Sequence, residues 1–510
     1  MAQKPIVLIV RDGWGYSTKK EGNAILSANT PVFDLLREEC PHSLLMASGE
    51  AVGLPLGFIG NSEVGHIALG AGRYVKEPLT RINEAISSGK FNYNPAFVKA
   101  IQNCKKNKSN LHIMGVLSDN GVHGMNTHLY ALLDMCAMHD FRDVCLHIFT
   151  DGKESPPMSA PEFLDDLKEK VRVHDFAKIC TVIGREYSMD RNNRWERISK
   201  AYNCLTGKKG KKAITADEAI KISYDEGIND PWIHPTLIGD FTGIKEGDSI
   251  ILYNYRLDAA RELTRAFVDT EFNEFPRTKL DITFVCFCEY YEEVEHLDKV
   301  YVAFEPVKIE NTFGEVISKN DLHQLRIAES EKDAHVTYFF DGEKEMMLPR
   351  CQSVIIPSPK VNSYASTPEM SASEITNRVI DVLSDFDFIL INYGNVDLVG
   401  HTGDFDATVK AVEFEDSEVG RLLEAIRDVN GVAFITSDHG NAEEMLYLDG
   451  EINKSHSLND VEFFIYNLQV NYHFKLKDGY LYDVAPTILD VMDIEKPIEM
   501  TGISLIEKRD

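Results

Sequence analysis

Near the amino terminus the chain carries the apolar run Pro5-Ile6-Val7-Leu8-Ile9-Val10, which leads directly into Arg11-Asp12-Gly13. A short run of branched apolar residues that stops at Gly predicts a buried β-strand. Open α/β sheets place their ligand crevice at the carboxyl ends of their strands. The run therefore predicts the first strand of an α/β sheet, with the carboxylate of Asp12 at its functional edge.

The same alternation of strand-like and helix-period segments continues along the chain and predicts an α/β fold with largely parallel sheets. Further strands are predicted at 111–118, 144–150, 179–184, 249–255 and 281–288, and then at 335–340, 353–356, 386–393, 432–437 and 462–466. Helices are predicted at 126–139, 160–173, 193–205, 257–269, 371–384 and 405–428.

Composition limits the partners of the protein. At 510 residues the chain exceeds the usual size of one hydrophobic core, so two domains are expected. Its formal net charge of -28 argues against nucleic acid or a membrane as a partner, although a local cationic pocket would hold a small anion. The nine cysteines form no C-x-x-C motif, and no apolar run approaches a membrane span. We expect a soluble, cytoplasmic protein with reduced thiols.

One serine and six metal-ligand side chains stand out. Ser62 lies in Gly60-Asn61-Ser62-Glu63-Val64-Gly65-His66, where it would begin a helix, either as a simple N-cap or as a nucleophile at an anion-binding helix start. A single histidine of this kind is often only a surface or core residue. Together the set provides the parts of a two-metal phosphoryl-transfer site. Its other members are Asp12, Asp397, His401, Asp438, His439 and His456.

Spacing supports this site. His401 follows Asp397 by four positions, which places both on one face of a helical turn. Mixed imidazole and carboxylate ligands suit Mn²⁺, Zn²⁺ or a similar ion, whereas Mg²⁺ prefers oxygen alone. If Asp12 and Ser62 share one site with the later ligands, the segment between them must be an insertion. We therefore expect residues 1–76 and 311–510 to form a discontinuous metal-binding domain, with 77–310 as an inserted substrate-binding domain.

Basic residues gather at predicted strand ends of the inserted segment. Arginine forks bind carboxylate and phosphate bidentately, so these residues predict a pocket for a small phosphorylated acid. Arg194 and Arg197 are expected to form ion pairs on a helix surface instead. The predicted substrate-binding residues are His123, Arg185, Arg191 and Arg256, together with the turn Asp151-Gly152-Lys153-Glu154.

These residues resemble, over essentially the whole chain, the cofactor-independent phosphoglycerate mutases of the alkaline phosphatase superfamily. The resemblance rests on motifs in family order: Asp12-Gly13-Trp14-Gly15, Asn61-Ser62-Glu63-Val64-Gly65-His66, Met189-Asp190-Arg191-Asn192-Asn193-Arg194-Trp195-Glu196-Arg197, Pro357-Ser358-Pro359-Lys360-Val361, Pro368-Glu369-Met370-Ser371, Val399-Gly400-His401-Thr402-Gly403 and Ser437-Asp438-His439-Gly440-Asn441. It implies a metal domain interrupted by an inserted α/β domain.

The resemblance also implies ligands and a mechanism. One metal would be held by Asp397, His401 and His456, and the other by Asp12, Ser62, Asp438 and His439. Lys332 would join the substrate-binding residues and reach the phosphoryl group. Metal-activated Ser62 would take that group from 3-phosphoglycerate as phosphoserine and return it to the 2-oxygen of glycerate. Mn²⁺ is the first expectation for both ions, with Mg²⁺, Zn²⁺ and Co²⁺ open, and 2,3-bisphosphoglycerate is not required.

The substrate-binding turn departs from the family pattern. Lys153 and Glu154 stand where the family usually has Arg and Asp, and Ala259 stands where it has Arg. Lys153 keeps a charge but loses the fork, and Ala259 removes a cation. Arg261 would point about 200° away from position 259 on a helix, which weakens it as a replacement.

We therefore expect a monomeric isomerase that interconverts 3- and 2-phosphoglycerate in glycolysis and gluconeogenesis. Because of Lys153, Glu154 and Ala259, a phosphatase or a mutase for another small phosphorylated acid is the alternative. A metal-binding paralogue without turnover is a third hypothesis, although such a protein has no need of Ser62.

Overall fold

The computed structural model describes residues 5–291, 297–345, 347–447, 449–470 and 473–509. The chain divides into two compact units, Met1–Glu77 with Val307–Asp510 (unit 1) and Pro78–Pro306 (unit 2). Each unit contains an eight-stranded sheet with helices, so the predicted α/β fold class is confirmed. Within the described ranges, no helix is long and apolar enough to cross a membrane.

Eighteen strands follow one another along the described residues. They are β1 (Ile6–Arg11), β2 (His42–Met46), β3 (Leu111–Leu117), β4 (Val144–Thr150), β5 (Ala177–Gly184), β6 (Lys211–Ala213), β7 (Thr236–Ile238), β8 (Ser249–Leu252), β9 (Thr283–Cys288), β10 (Val300–Phe304), β11 (Gln324–Glu329), β12 (Cys351–Ile356), β13 (Phe388–Tyr393), β14 (Val432–Thr436), β15 (Val461–Tyr466), β16 (His473–Leu476), β17 (Gly479–Tyr480) and β18 (Ile506–Arg509).

The helices alternate with these strands. They are α1 (Ala24–Ser27), α2 (Pro31–Glu39), α3 (Ser62–Ala71), α4 (Pro78–Ser87), α5 (Pro95–Asn107), α6 (Asn126–Met138), α7 (Ala160–Val173), α8 (Arg185–Ser188), α9 (Trp195–Leu205), α10 (Ala216–Asp225), α11 (Arg261–Val268), α12 (Phe313–Lys319), α13 (Ala372–Val382), α14 (Asn395–Gly400), α15 (Phe405–Asp428) and α16 (Val484–Val491).

The sheet of unit 1 has the strand order β12-β11-β13-β1-β14-β15-β2-β17. The first five strands run parallel, while β15 pairs antiparallel with both β14 and β2. In β1, Val7 and Ile9 pack into the core on one face, and Leu8 and Val10 pack into the core on the other. Burial on both faces explains why this strand is continuously apolar.

The sheet of unit 2 has the order β10-β9-β8-β3-β4-β5-β7-β6. Its pairings are parallel except that β7 runs antiparallel to β5. The strand ends of β8, β3, β4 and β5 are therefore neighbours at one edge of the sheet. This edge carries the basic residues that the sequence singles out.

In unit 1 one predicted strand was wrong and one interior strand was missed. The segment expected as a strand at 335–340 forms a π-helical turn, His335–Phe339. Val336 in this turn and Phe340 directly after it are four residues apart and both pack into the core. The interior strand β11 was not predicted, because Gln324 and Arg326 interrupt its apolar pattern. Both side chains are buried and hydrogen bonded to each other.

Candidate metal centre and active site

The candidate site of unit 1 lies at the carboxyl ends of four neighbouring parallel strands. Lys332 follows β11, Asp397 follows β13, Asp12 follows β1 and Asp438 follows β14. Because these strands are adjacent and parallel, their ends meet at one edge of the sheet. All four charged side chains are almost completely buried. The structure therefore brings together groups that lie far apart in sequence.

Ser62 is the first residue of α3, and its hydroxyl faces the charged groups. The helix is capped by Asn61, whose side chain accepts the N–H of Val64, so Ser62 is not needed as the cap. Its Oγ lies 2.8 Å from Nε2 of His439, 3.3 Å from Oδ1 of Asp12 and 3.1 Å from Nζ of Lys332. This surrounding suits a nucleophile.

Gly65 allows α3 to approach the strand end. A Cβ atom at this position would lie only 2.6 Å from the carbonyl oxygen of Asp438. Any larger residue would push the helix away from the carboxylates. The glycine in the Ser62 motif therefore sets the distance between the hydroxyl and the metal-ligand groups.

The three predicted ligand histidines share one arrangement. Each directs Nδ1 at a backbone carbonyl oxygen, at 2.7 Å for His401, 2.9 Å for His456 and 3.3 Å for His439. Since a carbonyl oxygen only accepts hydrogen bonds, each Nδ1 carries a proton, and in the neutral ring Nε2 is the nitrogen that carries the lone pair. This is the arrangement of metal-ligating histidines.

The lone pairs converge on carboxylates and on each other. Nε2 of His401 and Nε2 of His456 are 3.0 Å apart, and each lies 3.3 Å from Oδ1 of Asp397. The two oxygens of Asp438 are buried and have no hydrogen-bond partner among the described residues. Facing lone pairs and a bare carboxylate repel one another unless a cation lies between them. The donor set fits divalent metal ions.

Two clusters of metal-capable groups occur in the described part of the chain, each with its donor atoms within 4.8 Å. One contains Asp397, His439 and His456, and the other contains Asp12, His66 and Asp438. His439 thus also lies close to the group assigned to the first metal. His66 was not predicted to belong to the site.

Burial and neighbouring charges set the protonation of the site. Burial and the nearby Asp438 raise the pKa of Asp12 to about 6, although Lys332 opposes the shift. Burial lowers the pKa of His439 to about 3, which keeps its ring neutral. For Lys332 the attraction of Asp12 and Asp397 outweighs the effect of burial and raises the pKa above its ordinary value. Its ammonium is 2.9 and 2.7 Å from these carboxylates.

Sequence reasoning did not assign His66, Asn392 or Asn441 to the site. Asn392 donates to Oδ2 of Asp12 at 2.8 Å, and Asn441 donates to Oδ1 of Asp397 at 2.9 Å. Signals for them exist: Asn392 is a polar residue at the end of an apolar strand, and His66 lies one helical turn after Ser62.

In unit 2 the buried part of the predicted substrate site centres on Arg185. Its guanidinium binds the carboxylate of Asp151 and lies 2.9 Å from Nε2 of His123 and 3.4 Å from Oε1 of Glu154. Arg185 and His123 are buried, whereas Glu154 is partly exposed. The ends of β3, β4 and β5 bring these residues together.

The remaining predicted cations of unit 2 are more exposed and contact acidic side chains. Arg191 and Arg256 both contact Asp258, at 2.6 and 3.5 Å, and Lys153 pairs with Glu186. Arg197 also pairs with Glu186, in line with the ion-pair role expected of it.

Arg261 does not replace the cation that is missing at position 259. Ala259 is buried, and Nε of Arg261 donates to the carbonyl oxygen of Tyr290 at 2.6 Å. The guanidinium of Arg261 is thus bound to the backbone at Tyr290.

The chain is similar to known proteins over its whole length. A family model described as BPG-independent PGAM N-terminus matches residues 82–292. The 2,3-bisphosphoglycerate-independent phosphoglycerate mutase 2 of Methanosarcina barkeri is 46% identical over 99% of this chain and 99% of its own length. The corresponding mutase of Acetivibrio thermocellus is 45% identical over 100% of both chains. A crystal structure of Leishmania mexicana phosphoglycerate mutase at low cobalt concentration matches with a TM-score of 0.76 and 28% identity, covering 99% of this chain and 98% of that one.

Proposed function

The chain belongs to the 2,3-bisphosphoglycerate-independent phosphoglycerate mutases, and from this premise we propose that Ser62 carries the phosphoryl group between the two oxygens of glycerate. The enzyme is an isomerase that interconverts 3-phosphoglycerate and 2-phosphoglycerate. Full-length similarity to mutases does not favour the alternative of a phosphatase or a mutase for another acid.

The position of the Ser62 hydroxyl carries the proposal, because it lies within 3.3 Å of Asp12, His439 and Lys332. In the first transfer, the bond from Oγ to phosphorus forms as the bond from phosphorus to the 3-oxygen of glycerate breaks. In the second, the 2-oxygen attacks the same phosphorus and Oγ leaves. The proton that Ser62 loses in the first transfer is balanced by the one that the 3-oxygen gains, and the proton lost by the 2-hydroxyl is balanced by the one that Oγ regains. The ammonium of Lys332 stabilises the negative charge that develops on Oγ and on the phosphoryl oxygens.

Two divalent ions fit the donor atoms of unit 1. Asp397, His401 and His456 would hold one ion, and the second would be held by Asp12, Ser62, Asp438 and His439. When bound, such ions lower the pKa of the serine hydroxyl and neutralise phosphoryl charge. Mn²⁺ is the proposed metal because the ligands mix imidazole with carboxylate.

Unit 2 would recognise the glycerate part of the substrate. The forked guanidinium of Arg185 suits its carboxylate, and His123 and Glu154 beside it suit its hydroxyl oxygen. Arg191, Arg256 and Lys153 would add positive charge after exchanging their present acidic partners for the anion. We propose that the enzyme acts as a soluble monomer.

The test supplies purified enzyme and Mn²⁺ with 3-phosphoglycerate and measures 2-phosphoglycerate and free phosphate separately. Formation of 2-phosphoglycerate with little free phosphate supports the proposal. Free phosphate without the isomer would establish a phosphatase instead. Acid quenching during turnover should trap one phosphoryl group per chain on Ser62, located by peptide mass spectrometry.

A further inference from the structure

His66 lies within the candidate metal centre but is arranged differently from the three ligand histidines. It is completely buried on α3, one turn after Ser62. Its Nδ1 is 2.9 Å from the backbone carbonyl oxygen of Ser62. Because that oxygen only accepts, Nδ1 carries the proton, and Nε2 of the neutral ring carries the lone pair.

The lone pair of His66 is already matched by a donor. Nδ2 of Asn392 lies 3.2 Å from Nε2 of His66 and 2.8 Å from Oδ2 of Asp12. A carboxylate oxygen only accepts, so the amide nitrogen must face Asp12, and the orientation of the Asn392 side chain is determined. Its second N–H is then directed at the ring of His66.

Both nitrogens of His66 are therefore engaged. In His401 and His456 the Nε2 lone pairs face each other and Asp397, which leaves them available for a metal ion. In His66 the Nε2 lone pair faces an amide donor instead. Although His66 belongs to a cluster of metal-capable groups by distance, its hydrogen bonds exclude it as a ligand.

The ring also contacts Asp438. Oδ2 of Asp438 lies 3.1 Å from Nδ1 of His66, a close electrostatic contact, while the hydrogen on that nitrogen is directed at the carbonyl oxygen of Ser62. His66 thus contacts Ser62 and Asp438 directly and reaches Asp12 through Asn392. These three residues belong to the proposed set for the second metal.

We propose that His66 and Asn392 form a positioning pair that orients the ligands of the second metal without binding it. This inference rests on the metal assignment under the proposed function. Residues that orient metal ligands typically change metal affinity about 10- to 100-fold when they are replaced. If the side chain only filled space, its replacement would lower stability but would not lower the affinity of one metal site more than that of the other.

The test measures Mn²⁺ binding to metal-free enzyme by titration calorimetry, without substrate, for three variants of His66. His66→Leu removes both contacts, and we expect one of two metal equivalents to weaken about 10- to 100-fold while the other stays near wild type. His66→Asn keeps an N–H donor near the Nδ1 position and should recover much of the loss. His66→Gln can keep an acceptor toward Asn392 but has no donor near the Nδ1 position, and it should recover a smaller part of the loss.

Asn392→Ala removes the other member of the pair and should lower the Mn²⁺ affinity of the same metal equivalent. His128 is the matched control, because it is also fully buried and bonds the side chain of Asn83 at 3.0 Å, but in unit 2. His128→Leu should leave both metal affinities unchanged.

Thermal unfolding of each metal-free variant separates positioning from folding. Wild-type metal affinities in His66→Leu, an equal loss at both equivalents, or a loss in His66→Asn as large as in His66→Leu would each overturn the positioning role. Wild-type enzyme that binds no Mn²⁺ would instead overturn the proposed function.

Discussion

The candidate site of unit 1 and the basic cluster of unit 2 use charge in opposite ways. In unit 1, Asp12, Asp397 and Asp438 are buried, and the buried ammonium of Lys332 contacts Asp12 and Asp397. In unit 2 only part of the cluster is buried, and Arg191 has an exposed side chain that pairs with a single acid. The first arrangement is closed to solvent, whereas the second can exchange its partners with solvent.

The difference follows from the cost of removing charge from water. A buried charge that loses its partner destabilises a protein by about 3–5 kcal/mol, so such groups keep one geometry. Exposed ion pairs contribute only about 0–1 kcal/mol and exchange readily for an anionic ligand. Unit 1 thus provides fixed geometry for chemistry, and unit 2 provides charge that a substrate can recruit.

The largest expected effect is that of Ser62→Ala. Loss of the proposed nucleophile should lower kcat by about 10³-fold or more with little change in stability, since the proposed mechanism makes this hydroxyl the acceptor of the phosphoryl group. Coupled measurement of 2-phosphoglycerate formation tests this. Ser43→Ala is the control, because Ser43 is also buried in unit 1 and its hydroxyl has no hydrogen-bond partner among the described residues. Full mutase activity in the Ser62→Ala variant would contradict the proposed mechanism.

Lys332→Met is expected to act on both catalysis and stability. Without the ammonium, the carboxylates of Asp12 and Asp397 are left buried and repelling, so metal-free protein should lose about 3–5 kcal/mol of unfolding free energy. Removal of the charge should also lower kcat about 10²- to 10³-fold. Urea unfolding with EDTA and with Mn²⁺ measures the first effect, and Mn²⁺ should restore stability more than activity.

Lys344→Met provides the contrast for this experiment. Lys344 pairs with Glu315 at 3.0 Å in a partly exposed position. Its removal should change stability by less than about 1 kcal/mol, because such pairs are well hydrated. If the two lysine variants lost the same stability, burial would not distinguish the two kinds of charge.

Local sequence predicts the buried site better than the exposed one. A carboxylate that directly follows an apolar strand, as Asp12 follows β1, is placed by that strand alone. The four-residue spacing of Asp397 and His401 likewise requires only one helical turn, which α14 provides. Because such features depend on only a few consecutive residues, they can be predicted from the sequence.

The features that sequence reasoning missed depend on distant partners. Asp258, the partner of Arg191, lies 67 positions away, and nothing near Arg191 indicates it. In the same way, β11 was overlooked because Arg326 is tolerated in a buried strand only through contacts with Gln324 and with Asp341, 15 positions away. Pairings of this kind arise from the folded topology.

Arg185→Lys should produce a moderate effect confined to substrate binding. Lysine keeps the charge but cannot hold Asp151 and His123 with a fork, so KM for 3-phosphoglycerate should rise about tenfold with a smaller change in kcat. Steady-state kinetics at saturating Mn²⁺ measures both constants, and Mn²⁺ affinity should equal that of wild type. A weaker metal affinity would contradict the assignment of Arg185 to substrate alone.

Lys153→Arg is expected to have the smallest effect and tests whether exposed charge is recruited by substrate. Lys153 is half exposed and pairs with Glu186, so the substitution should change unfolding free energy by less than about 1 kcal/mol. A guanidinium restores the fork that the family usually has here and should lower KM about two- to threefold. Lys168→Arg, on an exposed helix, controls for arginine itself. An unchanged KM would mean that Lys153 stays with Glu186 when substrate binds, and that recognition depends on the other proposed residues.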